Sequence, residues 1–175
     1  MSLALEDQLA SYIRIHAEDG ILLDTNVLLL LLVNQIKPDL IGGKRLEAYR
    51  LEDAQILSAY VGNFSKILTT AHVLAETSNF IRQIVKGKVQ AEFLALLYPI
   101  FCLNDEDALL ECAIRGQDID IKFFVRLGLT DSGLLACGNK GHLILTSDLD
   151  LHIAAASSGA DSINFTHMRE AAGLL

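Results

Sequence analysis

Three aspartates, Asp24, Asp131 and Asp148, stand at expected helix starts, and Glu76 stands at the edge of an apolar helix face. Carboxylates brought together from distant parts of a chain can hold a hard divalent cation or move a proton. Two like charges about 4 Å apart repel by roughly 4 kcal/mol at an effective dielectric of about 20. A cluster of several therefore needs protonation or a bound cation. Oxygen donors with no cysteine partner favour Mg2+ or Mn2+ over zinc. A carboxylate-held Mg2+ keeps waters, binds substrate phosphate and activates a water for in-line attack. Read singly, each aspartate has a plainer role, capping the helix that follows it.

Glu76 is harder to assign to a cap. On a wheel turning about 100° per residue, Val73, Leu74, Phe80, Ile81, Ile84 and Val85 form one apolar arc, and Glu76 lies just outside its edge. An acid placed there is half-buried against a sheet. His72, Glu76, Asn79 and Gln83 make a narrow polar strip, with Arg82 and Lys86 beyond it. The strip is either a solvated helix face or the wall of a groove. In the second case Glu76 faces a metal, and Arg82 and Lys86 meet substrate phosphates.

The elements that must position these residues follow from periodicity and length. An amphipathic stretch from Leu3 to His16 predicts a leading helix. Short apolar runs predict strands at Ile21–Asp24, Ile67–Thr70, His142–Thr146 and Ser162–Phe165. Helices are expected in the leucine run after Asp24, over Leu51–Val61, Ala71–Val85, Val89–Phe101, Asp105–Ile114 and Leu149–Ala156, and after the last strand. Thr130-Asp131-Ser132 reads as a further helix start, with side-chain oxygens available to unpaired N–H groups. Strands alternating with helices imply a parallel sheet covered on both faces. The expected fold is a three-layer α/β/α sandwich with a central parallel sheet of four or five strands. In such sheets ligands bind beyond the carboxyl ends of the strands, where Asp24 and Asp148 both fall.

With 175 residues and no repeat or proline-rich linker, the chain is expected to be one domain, a leading helix over 1–18 and a core over 20–174. Hydrophobic residues make up 51%, a surplus that suggests a partner surface, most simply a homodimer. The apolar run Leu28–Val33 is far shorter than the roughly 20 residues of a membrane span, so no membrane is expected. Cys102, Cys112 and Cys137 are odd in number, widely spaced and without a C-x-x-C pair. They read as core thiols of a reducing cytoplasm, and no signal peptide is visible. A net charge of −8 argues against a broad electrostatic grip on nucleic acid, though not against acids clustered on metal ions.

Other chemistries lack their motifs. There is no H-E-x-x-H, no G-x-S-x-G, no G-x-x-x-x-G-K-[ST] and no G-x-G-x-x-G. His72 with Glu76, and Asp148 with His152, are each four apart and read as helix-surface pairs. Lys44-Arg45 with Arg50 forms a small basic cluster, read as a solvated loop and helix start or as an RNA contact.

Taken in order, the segments resemble the PIN-domain family of nucleases. Asp24-Thr25-Asn26-Val27 resembles the family's opening motif, and Ala75-Glu76 its helical glutamate. Leu129-Thr130-Asp131 is similar to its third acidic position, and Thr146-Ser147-Asp148-Leu149-Asp150-Leu151 to its closing T-x-D-x-D segment. Asn164-Phe165 resembles its last strand. The resemblance spans Gly20 to Leu174. It implies Asp24, Asp131 and Asp148 as metal ligands, with Glu76 contributing directly or through water. Asn26, Thr146 and Ser147 would orient the carboxylates or the water. Asp150 would substitute for Asp148 or cap the next helix. The implied function is Mg2+- or Mn2+-dependent endoribonuclease activity on single-stranded RNA. Many members act as the toxin half of a toxin–antitoxin pair, with a small antitoxin-like protein as partner. The alternative is a catalytically weak RNA-binding or assembly module with a PIN-like fold.

Overall fold

The computed structural model describes residues 3–102 and 110–175 and folds them into a three-layer α/β/α sandwich. Five strands, β1 (Ile21–Leu23), β2 (Ile67–Thr69), β3 (Leu110–Glu111), β4 (Leu143–Thr146) and β5 (Ser162–Asn164), form one sheet in the order β3-β2-β1-β4-β5. Every pairing is parallel. All three residues of β1 and all four of β4 are fully buried, as strands covered on both faces must be. The register sets Leu22 between Leu68 and Ile144.

Helix α1 (Leu3–His16) leads into the sheet, and α2 (Thr25–Ile36) and α3 (Leu51–Val61) join β1 to β2. Helices α4 (Ala71–Ile84) and α5 (Gly87–Cys102) follow β2, while α6 (Ile121–Gly138), α7 (Leu149–Ser158) and α8 (Phe165–Ala171) follow β3, β4 and β5. The chain steps outward from β1 to β3 and then returns across β1 to β4 and β5. Right-handed crossovers therefore place the helices of the two halves on opposite faces. Accordingly α2 packs on α3 and α4, and α6 packs on α7. Every residue from Val27 to Val33 in α2 is buried. A helix apolar all round is one surrounded by protein, and this one absorbs much of the apolar surplus. Among the described residues no helix is long and apolar enough to cross a membrane.

Three expectations need correction. Half of the helix expected over Asp105–Ile114 falls on residues outside the described ones; of the rest, Leu110–Glu111 is β3 and Cys112–Ile114 is not helical. A two-residue edge strand is too short to show a period. The helix expected to start at Thr130 starts instead at Ile121, capped by Asp120. Its course breaks at Gly128 (φ 81°, ψ −177°), so Thr130–Ser132 open the second segment of α6. There the Ser132 hydroxyl donates to the carbonyls of Gly128 and Leu129 rather than accepting from free N–H groups. Finally, Cys112 and Cys137 are not free thiols but are joined as a disulfide. The passage from β3 to α6 brings their Cα atoms within 6.7 Å, inside the range a disulfide spans.

Candidate active site

At the carboxyl ends of β1, β2, β4 and β5 the chain turns into a helix through a polar cap: Asp24, Thr70, Asp148 and Asn164. Strands β1 and β4 are neighbours whose connections leave to opposite faces. The crevice between their carboxyl ends is where open α/β sheets bind ligands. A pocket of about 390 Å³ opens there, lined by Asp24, Thr25, Asn26, Arg45, Glu76, Phe80, Asp131 and Asp148 together with Leu127–Thr130.

Asp24 is the buried member, 4% exposed. Its Oδ1 accepts the Val27 N–H at 2.7 Å, capping α2, and its Oδ2 accepts the Thr146 hydroxyl and the Ser147 N–H. Burial nevertheless pushes its carboxyl above the ordinary aspartate range; those hydrogen bonds offset part of the rise, and Asp148 adds to it. Capping and site roles thus coincide in one side chain. Glu76 is half-buried, as expected, and accepts the Thr25 hydroxyl at 2.8 Å.

Asp131 hangs over the pocket from the segment that follows the Gly128 break. Burial, then the charges of Asp148, Asp24 and Glu76, push its carboxyl up to about 7. The charges that add to the rise are thus those of the other three acids. Asp148 is exposed; its Oδ1 caps α7 by accepting from the N–H groups of Asp150 and Leu151.

Of the remaining residues singled out in the sequence, Asn26 lines the pocket, and Thr146 and Ser147 sit behind it on Asp24. Asp150 does not line it. Its carboxylate pairs with Arg126 at 2.7 Å on the exposed side of α7. Arg82 and Lys86 are also exposed and absent from the lining, the Lys86 ammonium donating to the Arg82 carbonyl. The cation at the pocket is Arg45 instead.

Sequence reasoning missed a supporting shell. Arg169 on α8 is 5% exposed, forks onto the fully buried Asp53 at 2.7 and 3.1 Å, and packs over the Tyr49 ring. Burial pushes the Tyr49 hydroxyl up, with Ser147, Asp24, Arg169 and Asp53 among the groups that bear on its acidity. Asp53 and Arg169 lie 116 positions apart, and only the acid's place near the start of α3 hints at a special role.

The chain matches no family model, and comparisons with curated proteins and with solved structures return no match. The site must be judged on its own chemistry.

Proposed function

We propose that this chain is a Mg2+- or Mn2+-dependent endoribonuclease with a PIN-like architecture, hydrolysing phosphodiester bonds of single-stranded RNA. The observation that carries this reading is the meeting of Asp24, Glu76, Asp131 and Asp148 at one pocket, where burial first and the neighbouring acids second push Asp131 up to about 7. Like charges so placed are relieved by a cation or a proton. Among the described residues no group of three or more His, Cys, Asp or Glu side chains makes a ready ligand shell. The four acids thus form no preset shell, and an ion bound there would take one or two of them directly and complete its shell with waters and substrate phosphate, as Mg2+ does.

One or two of Asp24, Asp131 and Asp148 would hold the ion directly, the others and Glu76 acting through its waters. When bound, the ion supplies Lewis-acid stabilisation of the phosphate and an activated water. Asp24 is kept in place by Thr146, Ser147 and Val27, and Glu76 by Thr25. Asn26, exposed at the rim, is free to orient water or substrate. Asp131, pushed up to about 7 without metal, would have to give up its proton to bind a cation. The test is turnover of an end-labelled mixed-sequence single-stranded RNA with Mn2+ against EDTA. Metal-independent RNA binding without turnover would favour the assembly-module reading instead.

A specific observation keeps the partner proposal alive. Ile121, Phe124 and Val125, spaced to share one face of α6, are all exposed beside the pocket segment, as are Leu149 and Ile153 on the adjoining α7. A second copy of the chain is the simplest cover, and a small antitoxin-like protein the other. Light scattering on the purified chain separates dimer from monomer.

A further inference from the structure

Arg45 has an unusual backbone. Its φ of 72° is the one positive value at a non-glycine residue among the described residues. A long side chain in that region costs strain and persists only when its surroundings hold it there. Here α4 does the holding. The Arg45 Nε and Nη2 both donate to the Gln83 side-chain oxygen, at 3.1 and 2.8 Å. Its guanidinium carbon lies 4.2 Å from the centre of the Phe80 ring. Both anchors are within two turns of Glu76 on the same helix.

The anchored charge is not matched to the acids around it. Arg45 takes part in none of the ion pairs among the described residues. Nor is it among the groups that set the acidity of Asp24 or Asp131. Two of its N–H donors go to Gln83, and the rest of the fork's five belong to an exposed residue that lines the pocket. A stacked, fixed, unpaired guanidinium has the geometry for a phosphate oxygen pair. A net charge of −8 weakens any general electrostatic hold on a polyanion, which gives weight to one anchored cation beside the acids in fixing the register.

We propose that Arg45 binds a backbone phosphate of the single strand adjacent to the phosphodiester at the acidic cluster, with Gln83 and Phe80 as its positioning residues. This inference rests on the nuclease reading above. It replaces Arg82 and Lys86 as the substrate cation and gives the small Lys44-Arg45 cluster its use. A strand, rather than free inorganic phosphate, is the fitting ligand, because a singly charged diester is repelled least by the neighbouring carboxylates.

The test is anisotropy of a short labelled single-stranded RNA on the Asp24→Asn chain with Mn2+, over a range of salt. Arg45→Ala is expected to weaken binding about 10-fold. It should also flatten the slope of log K against log salt by about 0.7, the share of one phosphate contact on a single strand. Arg45→Gly, which relieves the positive φ, should match Arg45→Ala while keeping the far-ultraviolet dichroism of the parent. Gln83→Ala should weaken binding and leave the slope in place, since the charge remains. Unchanged affinity and slope in Arg45→Ala, with the parent binding normally, overturns the role of Arg45 alone. A parent that binds no RNA even at low salt overturns the nuclease reading along with it.

Discussion

Thr146, at the end of β4, donates its hydroxyl to Asp24 Oδ2 at 2.5 Å across 122 positions of sequence. The next residue adds its backbone N–H to the same oxygen at 2.8 Å. The two central strands are thereby tied together at the point where the sheet's connections diverge, while the acid's other oxygen accepts the Val27 N–H at 2.7 Å. Both oxygens of this buried pocket residue are thus held in place.

Thr146→Val keeps the shape and removes the donor. Leaving a buried acceptor short of a partner costs about 1–3 kcal/mol, so a drop of that size is expected in urea unfolding. Turnover should fall by about 10- to 100-fold, because Asp24 gains freedom it does not have in the parent. Unchanged turnover would show that Asp24 needs no such fixing.

The pH dependence of the metal-free chain has a definite sign. Asp131 stands above its ordinary value of 3.8, at about 7, and Asp24 is raised too. A carboxyl raised on folding contributes fully below its unfolded value, and the contribution is lost as pH rises through the folded value. The metal-free chain should therefore lose thermal stability between about pH 4 and pH 7. Asp131→Asn should raise the midpoint near neutral pH, with the gain shrinking toward about pH 4, while abolishing cleavage. Scanning calorimetry at several pH values in EDTA checks this, and an identical profile in both chains would contradict it.

Gly128 occupies a backbone region that is essentially glycine's own. A Cβ built there meets nothing within 4 Å, so any penalty comes from the dihedral angles rather than from a clash. Gly128→Ala is expected to cost about 1–3 kcal/mol. Because the break aims the following turn at the pocket, it should also lower turnover. A variant as stable and active as the parent would mean that the kink is incidental.

How much of this was legible in the sequence depended on how local the cause was. The ends of β1 and β4 could be read because a short apolar run meets a capping residue within a few positions, and those caps are Asp24 and Asp148. Glu76 could be read from the helical wheel, since its half-burial is a property of one face. Arg45 could not: its place depends on a positive φ and on Gln83, 38 positions away. Arg82 and Lys86 do not line the pocket, for a related reason: helical spacing gives a direction from the axis but not where the neighbouring loop runs. The buried Asp53–Arg169 pair and the Cys112–Cys137 bridge are likewise products of topology. Spacing along the chain carries no trace of them.

The closing T-x-D-x-D segment left open which aspartate would serve the site; Asp148 lines the pocket and Asp150 does not. Asp150 makes an exposed ion pair with Arg126, worth about 0–1 kcal/mol. Asp150→Asn should leave both cleavage and stability close to the parent. Asp148→Asn should keep the α7 cap, since asparagine caps as well as aspartate, yet lower cleavage by about 100-fold or more for want of a charged ligand. The reverse ranking would move the site to Asp150.

The most direct measurement is cleavage of a mixed-sequence single-stranded RNA by the parent and by Asp24→Asn, each with Mn2+ and with EDTA, on proteins of matching circular dichroism. Cleavage by the parent with Mn2+ alone, lost in EDTA and in Asp24→Asn, is the expected result. Full activity in Asp24→Asn, or cleavage that survives EDTA, would contradict a carboxylate-held metal at the β1–β4 crevice.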